Sequence, residues 1–96
     1  MSAGPYSIGS GIWPGLSKLV EECGEVGQVV GKLIATGGNV KHWDGTNLRE
    51  RLTEELADLM AACQFVAEAN GLMCVELVAR KDKKLELFRT WHMEQQ

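Results

Sequence analysis

The chain of 96 residues has little that would anchor it in a membrane or crosslink it covalently. No apolar run approaches the roughly 18 residues that a membrane-spanning helix requires, so we expect no membrane partner. Its three cysteines, Cys23, Cys63 and Cys74, form no close pair, and their odd number favours reduced thiols over disulfides. The start is rich in Gly and Ser and lacks the basic and apolar regions of a secretory leader, so we expect a cytoplasmic protein.

Basic residues are also in the minority. The chain has 10 lysine and arginine residues against 13 aspartate and glutamate residues, and its net charge is −3 at pH 7. A nucleic-acid-binding domain normally shows a basic excess, so we expect no nucleic-acid partner. A chain this short forms one domain with a small core, and oligomerisation is a common way to enlarge such a core.

The apolar residues repeat at intervals of three and four, which is typical of amphipathic helices. We predict a mobile arm over residues 1–12 and one domain over residues 13–96. Helix one is expected over about 14–36 and helix three over about 73–92, with a second helix between them that ends at Asn70-Gly71. No segment alternates as a strand does. The predicted fold is therefore all-α, a three-helix amphipathic protomer that assembles into an oligomer of the four-helix-bundle type.

Two details of these helices bear on assembly and capping. Asp44 or Thr46 is expected to cap helix two. The apolar arc of helix one is wide, because Val26, Val29 and Leu33 extend it beyond its main stripe. That main stripe consists of Leu16, Leu19, Val20, Cys23, Gly27, Val30 and Ile34. We expect part of the arc to contact another copy of the chain in a homodimer or homotetramer.

Four carboxylates lie on the apolar sides of the first two helices. On a helical wheel Glu55 falls within the leucine face of helix two, and Asp58 lies one turn further along the same side. Glu22 and Glu25 repeat this spacing beside the valines of helix one. Most such pairs are solvated, but an ionised carboxylate on an apolar face is costly unless it is compensated. One divalent cation would compensate all four.

The ligand types indicate which cation to expect. No histidine lies three or four residues from either pair, and the cysteines do not have zinc-site spacing. Oxygen ligands on rigid helices favour Mg²⁺, with Mn²⁺ as a substitute. Magnesium commonly shares its coordination sphere with substrate phosphates, so the acids predict a site that handles phosphate groups.

Helix three carries lysines where apolar residues are expected. Lys81 lies between Leu77 and Leu85 on the wheel, and Lys84 lies on the same side. Either lysine extends its stem to reach solvent, or it meets phosphates opposite the metal. Asp82 is a candidate to orient a lysine or to contact the substrate sugar.

The residues Glu21-Glu22-Cys23-Gly24-Glu25 match the motif E-E-x-x-E, and Glu55-Leu56-Ala57-Asp58 match E-x-x-D. With their flanking sequences, they resemble the MazG-like branch of the all-α nucleoside triphosphate pyrophosphatases over about residues 13–92. The resemblance implies magnesium-dependent hydrolysis of (deoxy)nucleoside triphosphates to the monophosphate and pyrophosphate, in housecleaning of the nucleotide pool. It also implies dimers or tetramers with sites near subunit interfaces.

The resemblance further implies roles for individual acids. The implied metal ligands are Glu22, Glu25, Glu55 and Asp58. Glu22 or Glu25 would also accept the proton of the attacking water. Glu21 and Glu54 match the motifs less directly, and we expect them to contact the metal ligands without binding the metal themselves. Lys84 departs from the family pattern, because it stands near the place where members often carry an asparagine.

Base recognition and the reaction itself leave alternatives open at this point. Trp13, His42 and Trp43 are candidates for the wall that contacts the base, although Trp13 could instead cover the apolar start of helix one. One rival function is phosphoribosyl-ATP pyrophosphohydrolase, which shares the acid motifs. Another is a helical dimerisation or regulatory module without an active site.

Overall fold

In a computed structural model, which describes residue 8 and residues 12–95, the chain consists of three α-helices. They span Leu16–Ala35 (α1), Leu48–Ala69 (α2) and Cys74–Glu94 (α3). The only β-type pairing in these residues is an isolated bridge in the loop between α1 and α2, so the all-α prediction is confirmed. Of the predicted mobile arm over residues 1–12, all but Ile8 and Ile12 lie outside the described residues.

The helices agree with the predicted ranges to within two residues, and their starts have local causes. α1 begins at Leu16 instead of Pro14, because Gly15 adopts φ +94° and cannot continue a right-handed helix. The helices in the described part of the chain also lack the combination of length and apolar character needed to cross a bilayer.

The N-cap of α2 is Asn47, and the predicted caps Asp44 and Thr46 are wrong. The Asn47 side chain accepts a hydrogen bond from the Glu50 backbone N–H at 3.1 Å. Asp44 instead accepts the backbone N–H of Thr46 at 2.9 Å inside the preceding loop. Asn47 takes the cap because its side chain is the one in reach of the third helical N–H group.

The core of the described structure is the contact between α1 and α2. Its buried apolar side chains are Val29, Leu48, Ala62, Val66 and Ala67. The buried residue of α1 is Val29, which belongs to the extension of the apolar arc and not to its main stripe. Most of the main stripe predicted for α1 is therefore not buried against α2. Val20 is 72% exposed and Ile34 is 74% exposed. Val20 lies nine residues from Val29, about half a turn around the helix, so burial of one leaves the other open.

The start of α1 is connected to the end of α2 by hydrogen bonds and by packing. The Asn70 side chain donates hydrogen bonds to the carbonyl of Pro14 at 2.9 Å and to that of Val66 at 2.8 Å. Gly15 is buried against Phe65 and Val66. The start of α1 is thereby held on the end of α2, which fixes how the two helices align.

α3 stands apart from the other two helices. None of its residues is buried, although Leu77, Phe88 and Trp91 give it an apolar side. The radius of gyration is 16.4 Å, whereas a compact chain of this length has about 12–13 Å. Residue 8 and residues 12–95 leave the apolar side of α3 uncovered.

Candidate metal centre

Three glutamates from the two packed helices converge on one point. Glu22 and Glu25 of α1 and Glu55 of α2 each place one carboxylate oxygen within 4.8 Å of the others. Glu55 is 7% exposed, and the two α1 glutamates are partly buried. Three acids are therefore held together at the helix interface, where apolar side chains normally pack.

Helical periodicity explains why these acids point inward. Glu55 lies seven residues after Leu48 and seven before Ala62, so it shares their buried face two turns from each. Glu22 lies seven residues before Val29, the buried residue of α1. The burial of Leu48, Ala62 and Val29 therefore brings the carboxylates together.

Two carboxylate oxygens in the cluster are buried without a hydrogen-bond partner, namely Glu22 Oε2 and Glu55 Oε2. The nearest cation to Glu55 is Arg51, whose Nη2 lies 3.6 Å from Glu55 Oε1, too far for a good hydrogen bond. Buried carboxylates are normally paired or coordinate metals. The cluster therefore has two carboxylate oxygens that are available to coordinate a cation.

Mutual repulsion and burial raise the pKa values of two of these acids. The pKa of Glu55 is raised first by its hydrogen-bonding contact with Glu25, and then by burial. The pKa of Glu22 is raised mainly by burial, with further contributions from the charges of Glu25 and Asp58. A cation at the centre would oppose both shifts, because it favours the charged carboxylates.

Asp58, the fourth expected ligand, lies at the edge of this cluster. It is exposed and is not among the three acids that converge within 4.8 Å. It does line the same cavity as Glu22, a space of about 500 Å³. The structure therefore brings Glu22, Glu25 and Glu55 together and leaves Asp58 beside them.

The rest of that cavity is partly cationic and partly apolar. Its remaining walls are formed by Ile8, Lys18, Ala61, Ala62 and Phe65. The Nζ of Lys18 lies 2.9 Å from Glu21 Oε2, and this hydrogen bond is the main cause that raises the pKa of Lys18. Glu21 therefore pairs with Lys18, and Glu54, the other acid expected behind the ligands, is exposed on α2.

Sequence reasoning missed two cations at this site, Lys18 and Arg51. Each stands four residues before an acid of the cluster, Lys18 before Glu22 and Arg51 before Glu55. Side chains at this spacing are neighbours on a helix surface. A search for basic residues one turn before each inward-facing acid would have found both.

The basic residues predicted on α3 lie outside the acid cluster in this chain. Lys81 forms an ion pair with Asp82 at 2.5 Å, and both side chains are about 60% exposed. Lys84 lines a groove of about 360 Å³ on α3, together with Arg80 and Lys83. A site that combines these basic groups with the acids would therefore need α3 of another copy of the chain.

The aromatic candidates for base recognition are also separate from the acid cavity in the described part of the chain. Trp13 is 52% exposed just before α1, and Trp43 is 90% exposed in the loop before α2. The ring of His42 lies 5.3 Å from that of Trp43, and its Nδ1 lies 2.8 Å from Asp44. Hydrogen bonds from Thr46 hold the pKa of Asp44 well below its usual range.

Comparison with known proteins leaves the interpretation to this geometry: no protein-family model matches the chain, and no curated protein or solved structure shows significant similarity to it.

Proposed function

We propose that this chain is a magnesium-dependent nucleoside triphosphate pyrophosphohydrolase of the MazG-like type. It would hydrolyse (deoxy)nucleoside triphosphates to the monophosphate and pyrophosphate in nucleotide-pool housecleaning. The observation that carries the proposal is the convergence of Glu22, Glu25 and Glu55, with two buried carboxylate oxygens left unpartnered. A divalent cation would compensate the charge of such an acid cluster, and a cation held among carboxylates is suited to phosphate substrates.

The donor set fits Mg²⁺, with Mn²⁺ as a substitute. Every available donor is a carboxylate oxygen, and Glu22, Glu25 and Glu55 would hold the ion, with Asp58 completing the set from the cavity edge. When bound, magnesium neutralises charge on phosphate oxygens and lowers the pKa of water. The two α1 glutamates are the candidates to accept the proton of the attacking water.

The exposed α3 supports assembly into a homodimer or homotetramer of the four-helix-bundle type. Its apolar side chains remain 45% exposed at Leu77 and 53% at Phe88, so a second copy is the natural surface to cover them. In that assembly Lys81 and Lys84 would meet the substrate phosphates, with Asp82 orienting Lys81 through its ion pair. Trp13 is the proposed contact for the base.

The direct test is release of pyrophosphate from a panel of ribo- and deoxyribonucleoside triphosphates with Mg²⁺ present and absent. Glu55→Gln should abolish the activity while the helical circular dichroism spectrum persists. Glu68→Gln is the matched control, because Glu68 is an exposed acid of the same helix whose side chain accepts a hydrogen bond from Gln64. Equal activity in Glu55→Gln and wild type would refute the metal site.

The same assay separates the rival functions. Phosphoribosyl-ATP is included in the panel, and turnover of that compound alone would assign the chain to histidine synthesis. Absence of Mg²⁺-dependent pyrophosphate release from every compound would leave a helical association module as the remaining interpretation.

A further inference from the structure

The cavity beside the acids contains one basic side chain from the described residues, and that residue is Lys18. Its side chain is only 23% exposed, a low value for a lysine on the first turn of a helix. It shares the cavity with Glu22 and Asp58, two of the proposed metal ligands, and with the apolar wall that includes Phe65. The ammonium group of Lys18 therefore belongs to a residue that lines the same cavity as two of the acids.

Glu21, the ion-pair partner of Lys18, binds it only weakly and would compete poorly with a phosphate group. Lys18 Nζ pairs with Glu21 Oε2 at 2.9 Å, but the Glu21 side chain is 54% exposed and belongs to the same helix surface. Exposed ion pairs at this spacing contribute little stability, so Glu21 can be exchanged for a more highly charged anion at little cost. The Glu21 carboxylate would then be solvated by water.

We propose that Lys18 binds the phosphate chain of the substrate, exchanging Glu21 for a phosphate oxygen when the metal-bound nucleotide enters the cavity. This inference rests on the proposed function and adds a substrate-binding residue to it. One divalent ion leaves much of the negative charge of a triphosphate uncompensated. An ammonium group beside Glu22 supplies further positive charge on the α1–α2 pair itself, independently of α3.

The test measures binding and turnover separately. Isothermal titration calorimetry with magnesium tripolyphosphate reports phosphate binding without catalysis, and titration with Mn²⁺ alone reports the metal site. Lys18→Met should weaken tripolyphosphate binding and raise the KM for nucleotide by about 10- to 100-fold, the usual effect of losing a charge-assisted hydrogen bond. Lys18→Arg should retain most of the binding.

The decisive signature is that Mn²⁺ alone should bind Lys18→Met at least as tightly as wild type, because a positive charge near the acids has been removed. If Lys18 were needed only for folding, its replacement would weaken the binding of tripolyphosphate and of Mn²⁺ together. Lys32→Met is the matched control, since Lys32 is a partly buried lysine of the same helix far from the cavity. It should change neither affinity.

The outcomes distinguish this inference from the function on which it rests. Tripolyphosphate binding that depends on Lys18, in a protein that hydrolyses no nucleotide, would uphold the inference and overturn the proposed reaction. Nucleotide turnover with KM and tripolyphosphate affinity within twofold of wild type in Lys18→Met would overturn the inference and uphold the reaction. Failure of wild type to bind tripolyphosphate would overturn the inference.

Discussion

Replacement of Gly15 by alanine tests how the start of α1 is held on α2. Gly15 has φ +94°, a conformation that costs a residue with a side chain about 1–2 kcal/mol. A Cβ placed there would lie 2.8 Å from Phe65 Cδ1 and 3.0 Å from Val66 Cγ2, closer than van der Waals contact allows. Such overpacking adds about 1–3 kcal/mol. We expect Gly15→Ala to lower the free energy of unfolding by about 2–5 kcal/mol in total.

That loss is large for a chain of this size. At about 0.05–0.15 kcal/mol per residue, 96 residues give a free energy of unfolding of about 5–14 kcal/mol. Urea unfolding followed by circular dichroism at one fixed protein concentration measures the change, because association makes stability depend on concentration. The midpoint temperature should fall by at least about 8 °C.

Two further variants identify the cause of that loss. Gly24→Ala is the matched control, because Gly24 lies within α1 with open space where its Cβ would be, and alanine there should stabilise by up to about 1 kcal/mol. Combining Gly15→Ala with Phe65→Ala should cost less than the sum of the two single changes, since the overlap with the ring is relieved. A Gly15→Ala protein within about 0.5 kcal/mol of wild type would refute the reasoning.

Four other predictions concern pH, metal binding, capping and assembly. Because the raised pKa values of Glu22 and Glu55 make the folded chain bind more protons than the unfolded chain, stability without metal should rise as the pH falls from neutral towards 4.5. Below about 3.8 the depressed pKa of Asp44 should reverse this gain, and urea titrations across pH that show no rise between pH 7 and 5 would contradict it. Saturation with Mg²⁺ at neutral pH should add about 2.7 kcal/mol at 100 times the Kd, measured by thermal unfolding, and Glu55→Gln should abolish the gain. Asn47→Ala should cost about 1 kcal/mol in urea unfolding because it removes the N-cap of α2, and an unchanged midpoint would argue against that cap. Phe88→Lys should lower the molar mass measured by light scattering if a second copy covers α3, whereas an unchanged mass would place Phe88 outside the interface.

The features of the fold that depend on a single helix were predictable from the sequence. The 3.6-residue repeat located all three helices, and it placed Glu22 and Glu55 on apolar sides of α1 and α2, where the structure has them. Such arguments need only the angle between residues on one helix. They do not depend on which other helix is nearby.

Features that depend on the relation between helices were not predictable in the same way. An apolar stripe shows that a surface needs cover but not which surface covers it, so the exposure of Val20 on α1 and of Phe88 on α3 could not be foreseen. The choice of Asn47 as cap depends on loop geometry, in which Asp44 is already used by Thr46. The partial burial of Lys18 required the position of α2 to be known.

The acid cluster is assembled entirely from α1 and α2, whereas Lys81 and Lys84 belong to α3, a helix with no buried residue. Substitutions along α3 can therefore accumulate without displacing Glu22, Glu25 or Glu55. Over evolutionary time the acidic centre and α3 are free to diverge at different rates, so the surface of α3 can change while the carboxylates stay in place.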